Sequence, residues 1–96
     1  MNDRELYHQK RRAQLDEWRA DVDKLSARAS QASASAQLEM NKKVKELHGI
    51  LETGEAKLTE LSSAGDDVWH SLKGGVESAW DSMKSAISDA ASSFKN

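Results

Sequence analysis

The side chains that could do chemistry in this chain are its three histidines, its many serines and its carboxylates. His48 and Glu52 lie four residues apart, so a helix would place both on one side, where they could supply two metal ligands. His8 and His70 lie far from this pair along the chain, and the sequence contains no cysteine. Because no third ligand converges on the pair, we interpret His48 as a solvated histidine and expect no metal and no cofactor.

Sequence patterns typical of catalysis are also missing. No Ser–His–Asp arrangement can be assigned, and the serines do not lie in the strand–turn–helix setting of a nucleophile elbow. Gly74-Gly75 does not follow a strand, so it is not predicted to bind phosphate. We therefore expect no enzymatic activity and no catalytic residue.

The composition is informative about the elements that carry these side chains. The 96 residues include no proline and only five glycines, and 31% of them are charged. Residues that favour strands are scarce, whereas Ala and other helix formers are common. The sequence predicts one all-α domain over residues 1–96, an elongated helical hairpin, whose core is smaller than that of a compact domain of the same length.

Charge and hydropathy exclude several classes of partner and location. Fourteen basic and sixteen acidic residues give a net charge of −2, and the basic clusters at residues 10–12 and 42–45 are bordered by acids. We interpret both clusters as solvated helix faces and expect no nucleic-acid partner. No apolar run approaches the roughly 20 residues of a membrane-spanning helix, and the charged N-terminal segment does not resemble a secretory signal. A cytoplasmic protein is predicted, with peripheral membrane contact as the alternative.

Apolar residues recur every three or four positions from Tyr7 to Leu61, as they do on one face of a helix. They predict a long helix at about residues 4–62, roughly 90 Å long at 1.5 Å per residue. Residues 26–36, rich in Ala and Ser, support two interpretations. As helix they continue the long helix, because Ala is the best helix former and neither Gly nor Pro interrupts it. As a turn they divide the chain into three helices that form a bundle.

A turn is predicted at residues 63–66, where Gly65 can end the first helix and Asp66 can cap the next. A second helix follows at about residues 67–94, and its apolar stripe repeats every eleven residues, close to three helical turns. The stripe consists of Trp69, Leu72, Val76, Trp80, Met83, Ile87 and Phe94.

This second stripe also has two interpretations. It is the inner face of an antiparallel hairpin, in which folding back at Ala64 places Gly74 opposite Gly54. Alternatively it faces lipid, since a Ser-rich, mildly acidic polar face suits insertion into packing defects of a membrane. We favour the hairpin, because small and large residues then face each other along its seam.

The hairpin leaves the apolar stripe of the first half of the long helix without a partner in the chain. That stripe consists of Leu15, Trp18, Val22, Leu25 and Ala29. Since an exposed apolar stripe marks an association surface, we predict a homodimer or higher oligomer that forms through it, with antiparallel helices. If residues 26–36 are a turn, this segment folds onto the hairpin and a monomer results.

Two Trp-containing segments carry a resemblance to known proteins. The first is Ala13-Gln14-Leu15-Asp16-Glu17-Trp18, continuing through Asp23-Lys24-Leu25, and the second is Trp69-x-x-Leu72-Lys73-x-Gly75-Val76-x-x-Ala79-Trp80-x-x-Met83-Lys84-x-Ala86. In this order they resemble a family of small bacterial coiled-coil proteins grouped as a stress-response family. The resemblance implies a long helix with a shorter returning helix, a bacterial source, induction under stress and no catalytic residues. At residues 29–36 the chain departs from the family, because Ser and Ala stand where acidic and basic residues usually alternate.

Overall fold

The computed structural model describes residues 2–94, and within this range the chain forms three helices and no strand. Helix α1 comprises Asp3–Ser30, α2 comprises Ala34–Ser62 and α3 comprises Asp66–Ser93. The helices run up, down and up, so α2 is antiparallel to both neighbours, and the bundle measures 51 × 21 × 17 Å. The predicted all-α, elongated architecture is confirmed, and α3 matches its predicted bounds to within one residue.

The prediction of one helix over residues 4–62 is corrected, because the chain turns at residues 31–33. Gln31 stays near the helical region (φ −97°, ψ −4°), whereas Ser33 is extended (φ −61°, ψ 158°). The described part of the chain contains no positive φ, so this turn needs no glycine. Of the two interpretations of the Ala- and Ser-rich segment, the structure adopts the turn.

The break is favourable because it lets α1 bury its apolar stripe within the same chain. Leu15 and Val22 have no exposed surface, and Leu25 is 5% exposed. Burying each such side chain contributes about 1.5–3 kcal/mol, whereas each helical hydrogen bond lost at the break contributes roughly 0.5–1.5 kcal/mol net. Several buried side chains therefore outweigh the few backbone bonds that the turn removes.

The core takes one apolar stripe from each helix. Its largest members are Leu15, Val22 and Leu25 of α1, Val44, Leu47, Leu51, Leu58 and Leu61 of α2, and Trp69, Val76, Trp80, Met83 and Ile87 of α3, with Phe94 at the end of α3. The predicted periodicity identifies these residues. Ala36, which the same periodicity places on the stripe, is exposed just after the break.

The packing of α2 on α3 depends on Gly54. A Cβ at this position would lie 2.5 Å from Met83 Cε, so glycine is needed for the Met83 side chain to stay where it lies, whereas the Trp80 ring at 3.5 Å would be in ordinary contact. The expected pairing of Gly54 with Gly74 is wrong, because a Cβ at Gly74 would meet no atom within 4 Å. Simple folding back at Ala64 therefore gives the wrong register, since the residues that lie beside Gly54 are Met83 and Trp80.

Of the three helices described, only α1 has a side-chain hydrogen bond at its N-cap. The Asn2 side chain accepts a hydrogen bond of 2.8 Å from the Glu5 backbone N–H, as an N-cap of α1. Gly65 is the N-cap residue of α3 with φ −73°, the position predicted for Asp66, and Ser63 rather than Gly65 is the C-cap residue of α2. Asp66 and Asp67 lie in the first turn of α3, where negative charge interacts favourably with the helix dipole.

Candidate interaction surfaces

The stripe predicted for self-association lies inside the bundle. Leu15, Val22 and Ala29 are fully buried, Leu25 is nearly so, and Trp18 is half-buried. The premise that this stripe has no partner within the chain is therefore wrong, because α2 and α3 cover it.

The stripe predicted to line the hairpin seam or to face lipid also lies in the bundle. Trp69, Val76, Trp80, Met83, Ile87 and Phe94 are buried, and Leu72 is half-buried. Contact of these residues with lipid would require α3 to leave the other two helices. Of the helices described, none combines the length and the apolar character needed to cross a membrane.

A polar cluster links the N-terminal half of α1 to α3. The Tyr7 hydroxyl donates a hydrogen bond of 2.8 Å to Glu77 Oε1, and the Arg11 guanidinium pairs with Glu77 Oε2. The Tyr7 ring meets the Trp69 ring edge-on, with centroids 5.7 Å apart, and Lys73 Nζ lies 4.9 Å from the Tyr7 centroid. Burial raises the pKa of Tyr7, and the hydrogen bond with Arg11 opposes this shift. The cluster therefore joins two parallel helices by charge as well as by packing.

A second cluster links α1 to α2. Glu55 accepts a hydrogen bond of 3.0 Å from Arg12 and another from Arg19. These two hydrogen bonds hold the pKa of Glu55 below its ordinary value. The interpretation of residues 10–12 as a solvated face is thus corrected for Arg11 and Arg12, whose guanidinium groups bind carboxylates on the other helices.

His48 and Glu52, the predicted candidate pair, line a cavity of about 270 Å³ together with Asp23 and Glu55. Within residues 2–94, no group of three His, Asp or Glu side chains is arranged to hold a metal ion.

An accessible apolar surface lies between the C-terminal halves of α1 and α3, and we call it the α1–α3 groove. Its cavity measures about 590 Å³. It is lined by Trp18, Asp21, Lys24, Leu25 and Arg28 of α1 and by Lys84, Ile87, Ser88 and Ala91 of α3. The buried Leu25 and Ile87 form its floor with the half-buried Trp18, and the exposed basic residues form its rim.

The basic residues on this rim lack partners of opposite charge. In the part of the chain that the structure describes, Lys24, Arg28 and Lys84 have no carboxylate oxygen within 4.0 Å, whereas the four arginines in the first two thirds of α1 all do. Sequence reasoning missed the groove. The available signal was the spacing of Lys24 and Arg28, which flank Leu25 on one helix.

Comparisons of this chain with protein-family models, with curated proteins and with solved structures find no match. We therefore infer function from the fold and its surfaces.

Proposed function

We propose that this protein is a non-enzymatic helical interaction module that self-associates by exchanging α1 between two copies. The observation that carries the proposal is the connection of only three residues, 31–33, between helices of 28 and 29 residues. If this connection becomes helical, α1 and α2 join into one helix, and α1 then packs on the α2–α3 hairpin of a second copy. Such exchange of an identical element is a low-cost route to a dimer.

Little in the connection opposes a helical conformation. Within the described residues, the Ser33 side chain forms no capping hydrogen bond, and its backbone N–H donates none. Gln31 is already near helical angles, and neither Gly nor Pro lies between Ser26 and Ala36. Short hinge connections of this kind favour domain exchange.

The exchanged dimer would retain the contacts of the monomer. Leu15, Val22 and Leu25 would be covered by the same surfaces, now from the second copy, and Arg12 would bind the partner's Glu55. The two states then differ mainly at the hinge and in the entropy lost on association. The monomer is accordingly favoured at low concentration and the dimer at high concentration.

Two substitutions at Ser33 should move this equilibrium in opposite directions. Ser33→Pro suits the observed φ of −61° and removes no described hydrogen bond, but proline inside a continuous helix costs about 3 kcal/mol. Ser33→Ala favours the continuous helix by about 0.5 kcal/mol per chain. Light scattering after size exclusion, from micromolar to millimolar protein, should give more dimer for Ser33→Ala than for the native chain, and none for Ser33→Pro.

The dimer is also recognisable by shape. A continuous helix over residues 3–62 is roughly 90 Å long at 1.5 Å per residue, whereas the longest dimension of the monomer is 51 Å. Small-angle X-ray scattering at high concentration should therefore detect the longer particle. A native chain and a Ser33→Ala variant that both stay monomeric at millimolar concentration contradict the proposal, as does a dimer of Ser33→Pro.

The wider role remains a prediction from the sequence. A bacterial source and induction under stress come from the resemblance of the two Trp-containing segments, and a cytoplasmic location comes from the composition. The alternative of a membrane-surface protein that inserts α3 also remains a prediction, and the burial of Trp69 and Trp80 does not favour it.

A further inference from the structure

We propose that the α1–α3 groove binds a single-chain amphiphile with an anionic head group, such as the carboxylate of a fatty acid. This binding is separate from the exchange of α1, because the groove consists of α1 and α3 in the monomer as in the exchanged dimer.

The floor of the groove suits an alkyl chain. The half-buried Trp18 presents most of its apolar surface, and the nearly buried Leu25 and Ile87 contribute only their edges. The small residues Ser88 and Ala91 leave space on the α3 side. The cavity of about 590 Å³ lies within the range of roughly 300–1,000 Å³ that is typical of small-molecule sites. Along α1 it extends from Trp18 to Arg28, roughly 15 Å at 1.5 Å per residue, which suits a single extended chain.

The rim suits an anion. Lys24, Arg28 and Lys84 border the cavity, against one acidic residue, Asp21. Arg28 lies in the last turn of α1, where the helix dipole favours a cation, but this does not account for the two lysines. The three cations are exposed, border one cavity and have no carboxylate within 4.0 Å in residues 2–94, so an anionic head group in the groove would form charge-assisted hydrogen bonds with them in exchange for water.

Two other occupants fit less well. Two copies of the chain that met face to face through this groove would oppose the same cations, and like charges across an interface are unfavourable. A helix from another protein needs an interface of about 1,200 Å² or more to bind stably, and about three helical turns of groove offer too little surface.

The chain carries its own reporter of this binding. Trp18 lines the groove and is half-buried, whereas Trp69 and Trp80 are 7% and 2% exposed. Titration with dodecanoate below its micelle concentration should shift Trp18 emission to the blue with saturation. Dodecyltrimethylammonium has the same alkyl chain and the opposite head-group charge, and we expect it to bind at least about tenfold more weakly, as the loss of one charge-assisted contact implies.

Variants separate the rim from the floor. Lys24→Gln combined with Lys84→Gln should weaken dodecanoate binding by about tenfold or more, whereas Lys45→Gln, on the exposed surface of α2, should leave it unchanged. Ala91→Phe should fill the groove and abolish binding. Ala91, Lys24 and Lys84 are all exposed, so these variants should retain the fold, which circular dichroism checks.

Isothermal calorimetry with the native chain verifies that the emission change reflects binding. Equal affinity for the two head groups, or affinity that the double lysine variant leaves unchanged, overturns the proposal. The absence of saturable dodecanoate binding would also overturn it. An acidic helical peptide that binds the groove more tightly than dodecanoate would have the same consequence. The Ser33→Pro variant should bind dodecanoate like the native chain, so failure of α1 exchange and failure of this proposal give different results.

Discussion

At the scale of the residue, Gly54 decides how closely α2 and α3 approach. The ends of the Met83 and Trp80 side chains, which are both buried, lie next to the position that a Cβ of residue 54 would take. Gly74 and Gly75 are also in a helix, but a Cβ at either would meet no atom within 4 Å. Substitution of any of these glycines by alanine favours the helix, but it also adds a Cβ that must find space. Which effect is larger depends on the atoms around each position.

We predict that Gly74→Ala raises the free energy of unfolding by about 0.5–1 kcal/mol, because alanine restricts the unfolded chain and favours helix. Gly54→Ala has the same helix preference, but its Cβ would lie 2.5 Å from the flexible end of the buried Met83, which has to move, and this offsets part of the gain. We expect it to be less stable than Gly74→Ala in urea unfolding.

Met83→Leu provides the matched test of this cause, because leucine has no atom equivalent to Cε, the Met83 atom that lies nearest. In the Gly54→Ala background, Met83→Leu should recover part of the lost stability, whereas in the native background it should destabilise slightly. Additive effects of the two substitutions would show that Met83 is not the source of the cost.

At the scale of the element, Tyr7, Arg11 and Glu77 form the polar part of the contact between α1 and α3. Tyr7 is the only tyrosine, so its ionisation can be followed alone by absorbance near 295 nm. We predict a pKa above the ordinary value of 10.0, because burial disfavours the phenolate and Glu77 stabilises the neutral hydroxyl. Glu77→Gln should lower this pKa towards the ordinary value, since it removes a negative charge but not the burial.

The stability of the bundle should follow the same titration. Because the pKa of Tyr7 is higher in the folded chain than in the unfolded chain, its contribution is complete below about pH 10 and is lost as the pH rises through the folded-state pKa. Urea unfolding at pH 9 and pH 11 should show a larger loss for the native chain than for Tyr7→Phe. An equal loss in both would contradict the predicted shift.

The elements themselves could largely be predicted from the sequence. The periodicity places Leu47, Leu51 and Leu58 in the core, and the residues around Gly65 mark the second turn. The break at residues 31–33 could not be decided, because a segment without Gly or Pro is compatible with helix and turn alike. What decides it is the burial of Leu15 and Val22, a property of the assembled bundle.

The candidate site was less predictable, for a related reason. Nothing in the sequence distinguishes the three basic residues of the groove, Lys24, Arg28 and Lys84, from other exposed basic residues. They border the same cavity only because α1 and α3 lie side by side. Likewise, the sequence alone gives Arg11 and Arg12 no partner. Glu77 reaches Arg11 because α3 lies parallel to α1, and Glu55 reaches Arg12 because α2 lies antiparallel to α1. Local patterns specify faces, whereas these contacts require the relative positions of whole helices.

At the scale of the whole molecule, the open question is whether α3 ever leaves the bundle for a membrane. Its departure would uncover the stripes of α1 and α2 as well as its own. Eight large apolar residues of these two helices are buried in the core: Leu15, Val22, Leu25, Val44, Leu47, Leu51, Leu58 and Leu61. At about 1.5–3 kcal/mol each, exposing even half of them costs about as much as the entire stability of a small domain, roughly 5–15 kcal/mol.

We therefore predict that highly curved neutral vesicles leave the bundle intact. In a Trp18→Phe variant only Trp69 and Trp80 emit, and because both are buried, their emission should be blue in buffer and unchanged by vesicles. The same variant unfolded in urea gives the reference for exposed tryptophan. Red emission in buffer that turns blue with vesicles would instead mean that α3 is free to insert, and that the lipid-facing interpretation of its stripe is the correct one.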